Sequence, residues 1–279
     1  MKIKITHSTT YKYSSTVPRL IQCLKLYPSI CDNQEILNWE TSSSNGKIIE
    51  SHFDGLGHRV QNIFIKNFSG HLKITSKGML KTKDLSGVVK GLKEKVNPLC
   101  FLRETHLTKP CKRIEKISDQ AKKNNKNLIE FAHKLNLTVS NSINYVTGST
   151  TTSTSSRDAL KQKKGVCQDF AHILISAARF NNLPARYING FLLEETSSGE
   201  NTTHAWVEIF INDLGWVAFD PSHKKCIDEK YVRISTGYDF VDASTIKGVK
   251  TNYDGDELLE STVSIENCQS VSYTHLTLP

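Results

Sequence analysis

The segment around Cys167 has the residue types of a nucleophilic site. Residues 165–172 read GVCQDFAH, and an apolar run follows over residues 173–180. A run that is apolar nearly all round predicts a buried helix. Gly165 is the natural break before it, so we expect Cys167 in the first helical turn. Free N–H groups and the positive end of the helix dipole there stabilise a thiolate and can bind an oxyanion.

Two features argue against a reactive thiol at this position. Asp169 places a carboxylate two residues from Cys167, and its charge opposes thiolate formation if it points inward. Cysteines at helix starts are also often simply buried. On this segment alone, nucleophile and buried structural thiol both remain open.

A predicted hairpin downstream supplies a base and a carboxylate. Two strand-like runs, 204–210 and 216–220, are joined by a compact turn sequence. Pairing about that turn makes His204 and Asp220 directly opposed or diagonal neighbours, within reach if they share a face. A carboxylate beside an imidazole orients it and stabilises its charged form. With Cys167, this gives a nucleophile, a base and an orienting group.

Other histidines and a metal site are the alternatives. His172 follows Cys167 by five residues, roughly 140° around a helix, so it should face away from the thiol. His223 lies just beyond Asp220 and is the rival to His204 as the base. A Cys/His/Asp group could instead bind metal, but the pattern of a closed zinc site cannot be traced. We expect no metal and no cofactor.

Four segments resemble, in order and spacing, the core of the bacterial transglutaminase-like superfamily. They are GVCQDFAH (165–172), LPARYINGFL (183–192), THAWVEIF (203–210) and GWVAFDPSH (215–223). The resemblance implies a papain-like arrangement, with a helix-borne cysteine against a sheet-borne histidine and aspartate. It assigns the triad to Cys167, His204 and Asp220, in preference to His223.

The resemblance extends to the N-terminal region and spans about residues 1–255. The matching segments are HSTTYKYSSTV (7–17), LKLYPS (24–29) and FDGLGHRV (53–60). One departure is His58, where this branch usually has Asn; we expect the change to concern a turn. A second departure from papain-like enzymes is Lys161, which stands where a glutamine would help form the oxyanion hole. The second oxyanion donor is therefore unassigned.

The resemblance implies an enzyme that attacks a carboxamide or peptide carbonyl and passes through an acyl-thioester on Cys167. We expect a peptide or protein substrate and hydrolysis, giving a cysteine peptidase or amidase. The alternatives are a protein-glutamine transamidase, in which an amine resolves the thioester, and a non-catalytic peptide-binding module that keeps the cleft. Fold resemblance does not choose among these activities.

The sequence patterns of the elements that must position these residues predict an α+β protein. Alternating stretches punctuated by Gly predict an N-terminal antiparallel β domain over 1–80, including strands at 3–13, 48–53, 59–65 and 72–76. Residues 81–110 read as a linker and 111–260 as the papain-like core. Residues 261–279 are expected to be a tail that is disordered or foreign to the natural protein, since the sequence from Cys268 onward matches nothing known.

Local signals place the helices of the core before the Cys167 segment. Apolar spacing over 111–137 predicts two helices broken near residues 124–125. A Ser/Thr-rich loop over 147–156 ends in a capping-box spacing, which predicts a short helix to about Lys163.

Composition limits the partners and the compartment. The 279-residue chain is 38% apolar and carries a net charge of +8, and residues 81–134 hold 14 Lys/Arg against 6 Asp/Glu, a surplus equal to that of the whole chain. This regional basicity predicts a solvated surface or an acidic protein partner, and no nucleic acid, because no groove-binding motif accompanies it. Seven cysteines without a CxxC pair argue against a disulfide framework. With no apolar run at the start and no membrane span, we expect a cytoplasmic protein.

Overall fold

The N-terminal region forms a curved antiparallel sheet. A computed structural model describes residues 1–122, 125, 127–194 and 202–268. The first strands are β1 (Lys2–Leu24), β2 (Gln34–Ser43), β3 (Ile48–Phe53) and β4 (Arg59–Thr82). β1 and β4 pair along most of their length, with a register shift between Tyr13 and Val17. Gly70, predicted as a turn, lies within β4 at this bulge with φ of +93°, so the predicted strands 59–65 and 72–76 are one strand.

The C-terminal part of the chain returns to this sheet. Its strands are β13 (Ile246–Thr251) and β14 (Glu257–Asn267). β13 pairs with the second half of β1, and β14 pairs with the first half. The predicted division at residue 260 is therefore wrong. Residues 261–267 are strand rather than tail, because β14 satisfies the free edge of β1; residues 269–279 lie outside the described part of the chain.

A second antiparallel sheet forms the core, in the order β11-β10-β9-β8-β12. Its strands are β8 (Ala185–Leu192), β9 (Thr203–Ile211), β10 (Gly215–Asp220), β11 (Lys225–Cys226) and β12 (Tyr231–Gly237). A short strand, β5 (Val88–Val89), pairs with β10. A 3-10 helix at Pro98–Leu102 buries Phe101 under the same sheet. The predicted linker 81–110 is thus part of the core.

Four helices cover one face of the core sheet. They are α1 (Lys112–Lys122), α2 (Leu128–Ser140), α3 (Ser156–Gln162) and α4 (Cys167–Phe180), with the short parallel strands β6 (Asn144–Tyr145) and β7 (Lys164–Gly165) between them. The predicted break between α1 and α2 and the predicted α3 are confirmed. Asn127 and Ser155 cap α2 and α3 by accepting backbone N–H groups. None of the helices in the described ranges is long and apolar enough to cross a membrane.

The two sheets pack through a shared apolar cluster. Ile3, Ile5 and Leu80 of the N-terminal sheet are buried together with side chains of β8 and β12. The predicted α+β class, an antiparallel β region with a helix packed on an antiparallel sheet, is confirmed.

His58 does more than shape a turn. Its Nδ1 lies 2.8 Å from Asp54 Oδ2, and its Nε2 accepts a hydrogen bond from the Thr236 N–H at 2.9 Å. The ring is almost completely buried. The departure therefore lies in a turn, as expected, and the His58 ring also connects the N-terminal region to β12.

Candidate active site

Cys167 is the first residue of α4 and is partly exposed. The carboxylate of Asp169 accepts the N–H of Val166 at 2.8 Å and the hydroxyl of Thr150 at 2.6 Å. A Cβ on Gly165 would lie 2.6 Å from the Asp169 Cβ, so only glycine leaves room for this arrangement. Burial raises the pKa of Asp169. Its carboxylate therefore caps the helix start, with its hydrogen bonds directed to Val166 and Thr150.

The hairpin places His204 and Asp220 on one face of the sheet. Phe219 pairs with Val207, which makes His204 and Asp220 diagonal neighbours, as predicted. His204 Nε2 lies 2.6 Å from Asp220 Oδ2, and the Cys167 side chain interacts with the same ring and raises its pKa. Since Nε2 faces the carboxylate, Nδ1 is the nitrogen left for the thiol. The structure thus brings the three predicted residues together.

The electrostatics favour an imidazolium at His204. Burial lowers the pKa of His204, but its hydrogen bonds to Asp220 and Cys167 outweigh burial and raise that pKa to about 10. Burial would raise the pKa of Asp220, yet hydrogen bonds from His204 and His223 hold it well below its usual range. Asp220 is fully buried while His204 is 8% exposed. The carboxylate therefore stays ionised and stabilises a positive charge on the ring next to the thiol.

Asp220 accepts hydrogen bonds from several directions. Its Oδ1 accepts from the backbone N–H and the hydroxyl of Ser222, at 2.9 and 2.6 Å. Its Oδ2 accepts from the Tyr231 hydroxyl at 2.9 Å and lies 2.8 Å from His223 Nδ1. Such a carboxylate is held in one orientation, which in turn fixes the plane of the His204 ring.

Two family models match the chain. Residues 115–221 match the transglutaminase-like superfamily, and residues 3–81 match the bacterial transglutaminase-like N-terminal region. The chain therefore contains a transglutaminase-like core preceded by a bacterial transglutaminase-like N-terminal region. The first match contains Cys167, His204 and Asp220, so the candidate triad lies within the transglutaminase-like core.

The chain is also similar to bacterial relatives and to a solved structure. Protein ML0607 of Mycobacterium leprae is 24% identical over 268 residues, covering 89% of this chain and 92% of its own. Protein Rv2569c of Mycobacterium tuberculosis is 28% identical over 148 residues, or 50% of this chain and 47% of its own. A crystal structure of a candidate cysteine protease from Cytophaga hutchinsonii has a TM-score of 0.75 at 22% identity, covering 97% of this chain and 91% of that one. At this identity, the likeness to the solved structure shows the fold.

Tyr145 of the transglutaminase-like core is a site residue that sequence reasoning missed. It lies on β6, beside Gly165 of β7, and its ring stacks on Phe170 of α4 with centroids 6.2 Å apart. Burial, followed by the charges of Cys167, Glu194 and Asp220, raises the pKa of Tyr145 to about 12, while an interaction with the Cys167 backbone opposes that rise. The hydroxyl therefore stays protonated and lies at the start of α4. The two-residue strand gave no signal that would have placed it there.

The other histidines occupy different roles. His172 is fully buried and bonds internally, as predicted, because its Nε2 accepts the N–H of Phe240 at 3.2 Å. Ligand atoms of His204, Asp220 and His223 lie within 4.8 Å of one another, close enough to surround an ion. These atoms are, however, already hydrogen-bonded within the group, which suits proton transfer, and we assign no metal to it.

Proposed function

We propose that the chain is a cysteine peptidase or amidase with Cys167 as nucleophile, His204 as general base and acid, and Asp220 as the orienting carboxylate. The observation that carries this proposal is the path from Cys167 at the start of α4, whose side chain interacts with the His204 ring, through the 2.6 Å contact of that ring with the buried Asp220. A path of this kind is the arrangement that activates a thiol for acyl transfer.

The chemistry follows from the positions of the protons. The Cys167 thiolate attacks the substrate carbonyl carbon and forms a tetrahedral oxyanion. His204 then gives its proton to the leaving amine as the C–N bond breaks, which leaves an acyl-thioester. In the second half, His204 removes a proton from water, hydroxide adds to the thioester, and the C–S bond breaks to release the acid and the thiolate.

We propose the backbone N–H of Cys167 and the hydroxyl of Tyr145 as the two oxyanion donors. The first belongs to the first residue of α4, where the backbone N–H has no partner within the helix. The second is a protonated phenol next to the same backbone position. Together they would form the oxyanion hole. Lys161, which stands where papain-like enzymes have a glutamine for this purpose, is exposed on α3.

The substrate class and the molecule that resolves the thioester are also proposals. We favour a peptide or protein substrate and water as the acceptor, because water is always available and no amine site is evident among the described residues. A transamidase and a peptide-binding module are the competing functions. The basic surface of residues 81–134 is proposed to contact an acidic partner protein, and a cytoplasmic location stays a prediction.

The test combines a covalent probe with a peptide library. The purified full chain is incubated with an electrophile that mimics an acyl donor, and intact mass and peptide mapping identify the modified residue. A mixture of unmodified peptides is then added, and new termini are read by mass spectrometry with and without an excess of a primary amine.

We expect one adduct on Cys167 and cleaved or deamidated products that contain oxygen from labelled water. Cys167→Ala should abolish both results, whereas Cys100→Ala, which removes an exposed thiol elsewhere, should change neither. Amine-containing products would support the transamidase instead. Peptide binding without any adduct or turnover would support the binding module and contradict the proposal.

A further inference from the structure

His223 is held between two carboxylates at the edge of the cleft. Its Nδ1 lies 2.8 Å from Asp220 Oδ2, and its Nε2 lies 2.7 Å from Glu194 Oε1. A neutral imidazole has one ring N–H and can donate to only one acceptor, whereas an imidazolium donates from both nitrogens. Both nitrogens of His223 face carboxylate oxygens. This geometry favours a ring that carries both protons and a positive charge.

This charge lies close to the proposed general base. The ring centroids of His204 and His223 are 5.1 Å apart with an interplanar angle of 74°. Both rings hydrogen-bond to the same oxygen, Oδ2 of Asp220, so they compete for its negative charge. A positive charge at this distance disfavours a second one on His204 and favours a negative one on the Cys167 sulfur.

We propose that His223 is a positively charged positioning residue that shares Asp220 with His204 and thereby sets the pH range in which the Cys167 thiolate forms. This inference rests on the proposed function, in which that thiolate is the nucleophile. The sequence resemblance assigns the triad without His223, so its role adds to the triad and does not replace any member.

Titratable groups from several strands face His223. Asp220 approaches from β10, Glu194 from the end of β8, and His204 from β9; Tyr231 of β12 donates to the same Asp220 oxygen. Beside the ring, the Ser222 hydroxyl lies 3.2 Å from Nδ1. Hydrogen bonding to Asp220 raises the pKa of His223, with burial acting against it, in agreement with the charged form. Because the side chain is 35% exposed, solvent screens part of its field.

The experiment measures the pH dependence of Cys167 alkylation, which needs no substrate. Iodoacetamide reacts with the full-length protein at a series of pH values, and peptide mapping gives the rate at Cys167 alone. In His223→Asn, a hydrogen-bonding side chain remains but the charge is lost, so the midpoint should rise by about 0.5–1 pH unit. In His223→Arg the charge is retained, and the midpoint should return to within about 0.2 unit of the native value.

Lys224→Gln is the matched control, because it removes one positive charge from the adjacent exposed position. Its midpoint should move by less than about 0.2 unit, since that charge is solvated. Thermal unfolding of each variant verifies folding. Equal shifts in His223→Asn and Lys224→Gln, or a failure of His223→Arg to restore the midpoint, would overturn the inference. A native Cys167 that titrates like a free thiol, near pH 8.5, would instead refute the proposed function itself.

Discussion

The core sheet carries two buried charged clusters on the same face, and they differ in whether they are closed. The closed cluster contains Glu208 of β9 between Arg186 of β8 and Arg233 of β12, with Glu94 as a fourth member. The open cluster contains Asp220 with His204 and His223. Both lie deep in the protein, yet only the second reaches the cleft.

The closed cluster is balanced within itself. Glu208 Oε2 accepts from Arg186 at 2.7 Å, and Glu208 Oε1 accepts from Arg233 at 2.8 Å. Glu94 pairs with Arg186 and accepts the indole N–H of Trp216 at 2.7 Å. Two positive and two negative charges thus neutralise each other across several strands. A buried network of this kind has a structural role, because its charged groups bind one another and not a substrate.

The open cluster lies further along the same face of β9. His204, Trp206 and Glu208 alternate on one face of β9, so the fully buried Trp206 ring lies between the two clusters. Four residues of strand separate His204 from Glu208 by roughly 13 Å. Both clusters are built around a fully buried carboxylate, Glu208 in one and Asp220 in the other. The two clusters differ in their titratable groups. The Asp220 cluster contains histidines that can exchange protons with a reactant in the cleft, whereas the Glu208 cluster does not.

The largest expected effect separates the two clusters by activity. His204→Ala should lower kcat/KM for a peptide substrate by about 10³-fold or more, because the base and the proton donor are both lost. The variant should still fold, because Asp220 keeps its hydrogen bonds from Ser222 and Tyr231, and thermal unfolding checks this. His71→Ala, which removes an exposed histidine of the N-terminal sheet, serves as the control. A similar loss in both variants would show that the assay does not report on the proposed base.

The second expected effect is on stability. Glu208→Ala leaves Arg186 and Arg233 buried without their shared carboxylate, so the free energy of unfolding should fall by about 3–5 kcal/mol. Denaturant unfolding measures this change. Glu40→Ala, which breaks an exposed ion pair with Lys77, should leave the unfolding midpoint nearly unchanged. Equal effects for the two glutamates would mean that closure of the buried cluster is unimportant.

The smallest of the three effects concerns the edge of the open cluster. Tyr145→Phe removes one proposed oxyanion donor, so kcat should fall by about 10²-fold with little change in KM. Steady-state kinetics give both values. Tyr27→Phe, in the N-terminal region where the ring contacts Arg59, should behave like the native protein. An increase in KM alone would assign Tyr145 to substrate binding instead.

Local patterns in the sequence predicted the parts of the site that depend on neighbours along the chain. The break at Gly165 and the apolar run after it placed Cys167 at a helix start. The turn between β9 and β10 fixed the register that makes His204 and Asp220 diagonal neighbours. These features need only helix and hairpin geometry, so the residue order contains them.

Long-range packing decided the rest. Tyr145 and Glu194 reach the cleft because β6 pairs with β7 and β8 ends beside His223, and neither position has a periodic signal. The return of β13 and β14 to β1 joins residues more than 200 positions apart. Such contacts depend on which surfaces meet once the sheets form. The sequence alone therefore determined the nucleophile helix and the hairpin, whereas the tertiary structure decided which further side chains surround them and where the domains divide.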